Sequence, residues 1–176
     1  AWIPARASCK LVPKKNYKPF NSRTLVESAR DKCLAAGIFD KVIISSDDPV
    51  FEGLVNCNQV EFLKRNQNLA GDNATTDVVI DFFFKEIPSC DSILWVNSVS
   101  PLQSIQDIKN CGTRLSDPQG DCVMAANTLY QHCCIGNKPL NFDPNKPFEK
   151  TQDLEPIQRY IYSCMGWKRK TYVEYR

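Results

Sequence analysis

The stretch that decides the fold is AWIPARASCKLVPKKNYKPF, residues 1–20. Trp2 to Ala5 is apolar and predicts a short buried strand. The residues after it include no acidic side chain and five cations: Arg6, Lys10, Lys14, Lys15 and Lys18. Such a concentration of positive charge repels itself unless an anion lies among it, and the loop after a first parallel strand is a common nucleotide site. The opening therefore predicts a strand followed by a phosphate-binding loop, with a solvated basic loop as the alternative.

Strand and helix patterns alternate through the following hundred residues. Apolar, β-branched runs predict four more strands, over residues 41–46, 59–63, 92–96 and 122–126. Helices are predicted between them, the first over residues 23–36 with a cap at Asn21 and Ser22, and another after a cap at Ser104. This alternation indicates an α/β fold, a Rossmann-like and mostly parallel sheet with helices on both faces and right-handed crossovers.

The last third of the chain has a different pattern. Residues 136–157 contain four prolines and predict an extended arm, followed by two short strands over residues 160–164 and 171–175. We therefore expect two domains: a nucleotide-binding α/β domain over residues 1–130 and an extended arm or flap over residues 131–176.

The composition argues against several classes of protein. The net charge of +2 is concentrated in the opening and the remainder is slightly acidic, unlike a nucleic-acid binder with positive charge spread over a face. The nine cysteines form no C-x-x-C pair, and the single His132 leaves little for a zinc site. We expect free thiols in a reducing cytoplasm, with Cys33, Cys111 and Cys122 on apolar faces. No apolar run is long enough to span a membrane, and no signal peptide is visible.

Residues 3–20, IPARASCKLVPKKNYKPF, resemble the opening signature of the CMP-sugar synthetases, the acylneuraminate cytidylyltransferases. That signature runs I-P-A-R-G-G-S-K, with a later K-N and a K-P-F. The matching positions are Ile3, Pro4, Ala5, Arg6, Lys10, Pro13, Lys15, Asn16, Lys18, Pro19 and Phe20. Ala7, Ser8 and Cys9 stand where the family has Gly-Gly-Ser. Because glycine lets a backbone approach a phosphate without a Cβ, this departure implies a reshaped site.

Three later segments carry a weaker likeness to the same family. The first matches the family's Arg-Pro-x-x-Leu-Ala and Asp-x-Ala pattern, with Asn66 in place of proline, at Arg65, Leu69, Ala70, Asp72, Ala74, Thr75, Thr76 and Asp77. The second corresponds to Gln-Pro-Thr-Ser-Pro-Leu-Arg, and its substitutions are Asn97, Ser98, Val99 and Gln103. The third, residues 150–157, resembles a Gln-Asp-Leu-x-Pro segment that in the family lies near the acceptor and the subunit interface.

The resemblance implies a cytidylyltransferase that transfers CMP from CTP to the 2-hydroxyl of a nonulosonic acid, a nine-carbon acidic sugar such as sialic acid, and releases pyrophosphate. It implies that the triphosphate is held by three catalytic residues, Arg6, Lys10 and Lys15. It implies that the nucleotide contacts Ala5, Arg6, Asn16, Arg65, Ala74 and Thr76. Asn97 and Gln152 are the implied sugar-binding residues.

The resemblance also implies a magnesium ion and a homodimer. Family enzymes carry an Asp-x-Asp pair further along that binds the catalytic Mg²⁺, and residues 1–176 contain none, so the metal ligands stay unassigned. The sequence therefore allows a shortened chain, a different metal site or an inactive nucleotide-binding homologue. A non-enzymatic anion- or RNA-binding module is the other alternative. Residues 131–176 are the expected dimerisation flap, and the expected compartment is the cytoplasm, or the nucleus for a chain of animal origin.

Overall fold

The computed structural model describes residues 1–9, 12–71 and 73–175. Within them the helices are α1 Leu25–Ala36, α2 Thr76–Glu86, α3 Ile105–Ser116 and α4 Arg169–Glu174. The strands are β1 Trp2–Pro4, β2 Pro19–Phe20, β3 Arg23–Thr24, β4 Val42–Ser46, β5 Val60–Lys64, β6 Ser92–Val96, β7 Cys122–Leu129, β8 Cys134–Ile135, β9 Lys138–Pro139 and β10 Ile157–Lys168. Short 3₁₀ helices lie at Lys15–Tyr17, Pro49–Leu54, Gln67–Leu69 and Thr151–Asp153.

The main sheet has six strands in the order β5-β4-β1-β6-β10-β7. β1 lies between β4 and β6 and runs parallel to both, and β5 is parallel to β4. All five residues of β4 are buried, as expected for a β-branched strand covered on both faces. β10 joins β6 in antiparallel register, with Cys164 opposite Val96. The predicted α/β fold with a mostly parallel sheet is confirmed.

The chain divides into two compact units. The first comprises residues 1–123 and 163–176, and the second comprises residues 124–162. The second unit contains the β8–β9 hairpin and a stack of His132 on Phe148, whose ring centroids are 4.0 Å apart. The expected division into domains at residue 130 stays a prediction, and the boundaries of the compact units lie near residues 123 and 163 of the chain.

An aromatic cluster joins helix α2 to the sheet in the first unit. The ring of Trp2 lies 4.9 Å from those of both Phe83 and Trp95, centroid to centroid. Phe83 and Phe84 are buried in the same cluster, so these two aromatic residues of α2 serve core packing. Cys33 is a buried thiol, but Cys122 is exposed on β7, so its predicted apolar environment is wrong.

Helix α1 begins later than the sequence predicted. Its cap is Thr24, whose hydroxyl accepts a hydrogen bond from the Glu27 N–H at 3.2 Å, while the Glu27 carboxylate accepts one from the Thr24 N–H at 2.7 Å. Asn21 and Ser22 instead form the turn between β2 and β3 with φ values of 50° and 66°. The predicted cap at these two residues is wrong because the capping box at Thr24 satisfies both ends of the first turn.

Helix α4 occupies residues for which the sequence predicted a strand. The Arg169 guanidinium donates hydrogen bonds to the carbonyls of Phe84, Ile87 and Cys90 at the end of α2, over 2.9, 2.5 and 2.8 Å. The Tyr172 hydroxyl donates to the carbonyl of Asp77 in the first turn of α2, at 2.9 Å. The predicted strand over residues 171–175 is wrong because these tertiary contacts outweigh the β propensity of Thr171, Tyr172 and Val173.

Helix α3 begins at the predicted cap and offers a test of local stability. The Ser104 hydroxyl accepts a hydrogen bond from the Asp107 N–H at 3.0 Å, and the Asp107 carboxylate accepts one from the Ser104 N–H at 3.3 Å. We expect Ser104→Ala to lower the free energy of unfolding by about 1 kcal/mol, the usual cost of losing a cap. Urea denaturation measures it, with Ser116→Ala, at the other end of α3, as the control. Equal midpoints for the two variants would contradict the role of the cap.

Helices in the described residues, 1–9, 12–71 and 73–175, include none that is long and apolar enough to cross a membrane.

Candidate active site

A cavity of about 230 Å³ lies in the first unit, beyond the carboxyl ends of β1 and β6. Its walls come from the loop after β1, the loop between β5 and α2, and the loop after β6. β4 and β5 extend the sheet on one side of β1, and β6 begins the other side. The cavity therefore lies where the strand order reverses, which is the usual ligand site of an open α/β sheet.

Most of the predicted site residues meet at this cavity. Seven of them line it: Arg6, Lys15, Asn16, Arg65, Ala74, Thr76 and Asn97. Ala5 is fully buried and does not line it, and its N–H donates to the Ser45 carbonyl at 2.8 Å. Gln152 is exposed in a 3₁₀ helix of the second unit. Lys10 lies outside the described residues, and so does Asp72. The roles of all these residues stay predictions.

Arg65 is a buried cation on the wall of the cavity. It follows β5, and its N–H donates to the Ser46 carbonyl at 2.7 Å. The residue is 5% exposed, and its Nε is buried with no hydrogen-bond partner among the described residues. Burial lowers the pKa of Arg65, with the Asp47 carboxylate opposing that shift and the Arg6 cation adding to it. A desolvated guanidinium whose Nε has no hydrogen-bond partner among the described residues is suited to an anionic ligand.

The loop after β1 adds two further cations to the same cavity. Arg6 and Lys15 both line it, and Lys15 is half-buried at the start of a 3₁₀ helix. No carboxylate is found among the described residues that line the cavity. Three cations without a carboxylate give the cavity a positive potential, which favours a polyphosphate.

Two acidic residues after β4 accept hydrogen bonds from the loop after β1. Asp47 Oδ1 accepts a hydrogen bond from the Ala7 N–H at 2.9 Å. Asp48 caps the next 3₁₀ helix by accepting a hydrogen bond from the Val50 N–H at 2.9 Å, and it also accepts one from the Tyr17 hydroxyl. The Tyr17 bond, with that of Val50, lowers the pKa of Asp48, while burial and the same bond raise the pKa of Tyr17. These carboxylates therefore hold the loop, Asp47 through the backbone of Ala7 and Asp48 through the side chain of Tyr17.

The opposite wall is the N-terminus of α2 and the segment before it. Ala74, Thr75 and Thr76 line the cavity, and the Thr75 hydroxyl caps the helix by accepting from the Val78 N–H at 3.4 Å. The N-terminal end of an α-helix carries partial positive charge, which adds to that of the three cations. Thr76 adds a hydroxyl-bearing side chain to the same wall.

Trp95 and Ser98 are among the cavity residues that the sequence analysis missed as site candidates. Trp95, on β6, lines the apolar part of the cavity with Pro4 and Val79. Ser98 follows β6, is 3% exposed and donates a hydrogen bond to Asn16 Oδ1 at 2.9 Å. The position of Trp95 near the carboxyl end of a predicted strand could have revealed the first. No local signal reveals the second, because its partner is 82 residues away.

The described residues do not identify the protein ligands of a magnesium ion. Residues 1–9, 12–71 and 73–175 contain no group of three or more His, Cys, Asp or Glu side chains placed to hold a metal. Asp77, one of the two carboxylates nearest the predicted nucleotide site in sequence, does not line the cavity. Since Mg²⁺ requires carboxylate and phosphate oxygens, the identity of its protein ligands stays unassigned.

Comparisons with known proteins identify the family of this chain. The family model described as Cytidylyltransferase matches residues 1–159. The pseudaminic acid cytidylyltransferase of Campylobacter jejuni is 27% identical over 97% of this chain and 81% of its own length. The N-acylneuraminate cytidylyltransferase of Streptococcus agalactiae is 23% identical over 88% of this chain and 40% of its own.

The solved structures that resemble this one share its fold. That of a CMP:2-keto-3-deoxy-manno-octonic acid synthetase complexed with CTP has a TM-score of 0.69 at 14% identity, covering 99% of this chain and 75% of that one. A 4-diphosphocytidyl-2C-methyl-D-erythritol synthase from Anaerococcus prevotii has a TM-score of 0.63 at 13% identity, covering 99% of this chain and 74% of that one. With the family match over residues 1–159, the chain belongs to the cytidylyltransferase family and is a nucleotidyltransferase.

Proposed function

We propose that this protein transfers CMP from CTP to the 2-hydroxyl of a nonulosonic acid and releases pyrophosphate. The hydroxyl oxygen forms a bond to the α-phosphorus of CTP, and the bond from that phosphorus to the bridging oxygen breaks. The bridging oxygen leaves with its electron pair as part of pyrophosphate, and the hydroxyl proton passes to solvent. The observation that carries the proposal is Arg65, a buried guanidinium with an unsatisfied Nε on the wall of a cavity that also presents Arg6 and Lys15.

The three cations would neutralise the phosphate charge that increases as the pyrophosphate leaves. Phosphoryl transfer of this kind depends on positioning and charge stabilisation more than on covalent participation by the protein. Arg65 and Lys15 are the proposed triphosphate ligands, together with Arg6. Lys10 is a further proposed ligand of the triphosphate, on the resemblance of the opening alone.

The nucleoside would lie against the part of the cavity that has few charges. Ala74 and Trp95 provide small and apolar surfaces there, and Thr76 provides a hydroxyl. Asn97 follows β6 and is the proposed sugar contact in the first unit, where its Oδ1 also accepts from the Val99 N–H at 3.3 Å. Gln152 is the second proposed sugar contact, and Mg²⁺ is the proposed cofactor.

The acceptor is proposed to be a nine-carbon acidic sugar of the pseudaminic or sialic acid class. The relatives named for pseudaminic acid and for N-acylneuraminate support this class, at 27% and 23% identity. The predicted compartment is the cytoplasm, because reduced thiols such as that of Cys33 persist there. A homodimer formed through the second unit is also proposed, since Ile135, Phe148 and Tyr160 are exposed in it.

A pyrophosphate-release assay with Mg²⁺ present tests the proposal. CTP and UTP would each be combined with N-acetylneuraminate, pseudaminate and 3-deoxy-manno-octulosonate. We expect release with CTP and one of the two nine-carbon sugars. Thermal stabilisation by CTP without release from any acceptor would instead identify an inactive nucleotide-binding homologue. RNA binding that weakens with salt and shows no nucleotide preference would favour the non-enzymatic alternative.

A further inference from the structure

Asn16 connects two of the three walls of the cavity, the loop after β1 and the loop after β6. It is 2% exposed, and its Nδ2 donates a hydrogen bond to the Arg6 carbonyl at 2.9 Å. Its Oδ1 accepts a hydrogen bond from the Ser98 hydroxyl, also at 2.9 Å, and this second bond is buried. Because both ends of the amide bind protein groups, Asn16 acts as a crosslink between the loop after β1 and the loop after β6.

The Ser98 half of this crosslink depends on a residue that differs from the family signature. Proline stands at the corresponding position of the CMP-sugar synthetase pattern and has no hydroxyl to donate. In this chain the Asn97 N–H, one residue earlier, donates to the Ser163 carbonyl at 2.9 Å, which anchors the loop after β6 to β10. Ser98 therefore connects this anchored loop to Asn16 and, through Asn16, to the backbone of Arg6.

We propose that Ser98 is a positioning residue for the transfer reaction and that it acts through Asn16. This inference rests on the function proposed above. The wall with Arg6 and Lys15 would hold the triphosphate, and the wall with Asn97 would hold the acceptor sugar. The Ser98–Asn16–Arg6 connection sets their separation and therefore the alignment of the attacking hydroxyl with the α-phosphorus. Small errors in such alignment reduce the rate strongly even where each substrate still binds.

Ser98→Ala tests this role, since it removes the hydroxyl without adding volume to a buried site. We expect kcat to fall about tenfold while the Kd of CTP, measured by calorimetry without acceptor, changes by less than about threefold. Ser98→Thr, which keeps the donor, is expected to recover most of kcat. Ser104→Ala is the matched control, because it removes a serine hydroxyl and lowers stability without touching the cavity. A kcat within about twofold of the unchanged protein, or an equal fall in Ser104→Ala, would overturn the proposal.

A double-substitution cycle separates action through Asn16 from a direct effect on the substrate. If Ser98 acts through Asn16, adding Ser98→Ala to Asn16→Ala lowers kcat no further than Asn16→Ala alone. Independent, multiplicative losses would contradict that connection.

Hydrogen exchange tests the connection from Ser98 to the loop after β1 without relying on the proposed activity. Ser98→Ala should speed exchange at the amides of Ala7 and Tyr17, in the loop after β1, and Ser104→Ala should not. Unchanged protection at both amides would overturn the positioning role whatever the activity. Faster exchange in a protein that releases no pyrophosphate with any acceptor would instead refute the proposed function and leave the crosslink in place.

Discussion

Replacing Arg65 by methionine is expected to lower kcat/KM by about a thousandfold, the upper range for one preorganised charged group. Its guanidinium is already desolvated, so it requires little reorganisation when a phosphate binds. The same substitution should leave the free energy of unfolding unchanged or raise it, because it replaces a buried and incompletely satisfied charge with an apolar side chain of similar volume. A large loss of activity without a loss of stability would indicate that Arg65 serves ligand binding and not folding.

Pyrophosphate release and urea denaturation measure the two effects on the same preparations. Arg23→Met is the matched control, since Arg23 is exposed, pairs with Asp31 on the surface and does not line the cavity. It should change neither quantity by more than the small amount typical of surface ion pairs. If Arg65→Met kept kcat/KM within about tenfold of the original value, Arg65 would not be a phosphate ligand.

Lys15→Ala is expected to lower turnover by about a hundredfold. Lys15 is half-buried on the cavity wall. Among the described residues, none accepts a hydrogen bond from its ammonium group and none forms an ion pair with it. We therefore expect it to bind the triphosphate and to stabilise the departing pyrophosphate. The measurement is kcat for pyrophosphate release at saturating CTP.

Lys18→Ala distinguishes a specific contact from a diffuse positive field. Lys18 belongs to the same basic stretch, but it is exposed and does not line the cavity. Charges in solvent are screened by salt, so any effect of Lys18 should disappear as ionic strength rises, whereas the effect of Lys15 should persist. Equal losses in the two variants would show that the loop acts only through its total charge.

Most strands of the sheet and the basic loop after β1 were predictable because the patterns that indicate them lie within a few consecutive residues. β6 occupies residues 92–96 as predicted, and the Ser104 cap is where the sequence placed it. Arg6 and Lys15 could be identified because they belong to a basic loop that follows the first strand, whose carboxyl end borders the switch in strand order. Asn97 was implied only by the resemblance to the CMP-sugar synthetases. A strand pattern and the α/β rule are sufficient to bring such residues together.

Features that depend on distant partners were not predictable. No local pattern states that β10 pairs with β6, so residues 160–164 were assigned to a flap instead of the sheet. The helical state of α4 depends on where the Arg169 guanidinium binds, and the buried bond of Ser98 depends on Asn16. The sequence analysis recorded Ser98 only as a departure from a pattern, since one position carries no information about which side chain it will contact.

The contacts of α4 have a practical consequence for any shortened version of this protein. Arg169 and Tyr172 clamp α2 at its two ends, about 16 Å apart at the rise of an α-helix, and the leading end of α2 borders the cavity. A truncation before residue 169 would retain every side chain that lines the cavity yet release the helix that shapes one of its walls. Expression boundaries should therefore lie beyond Glu174, even though the family match ends at residue 159.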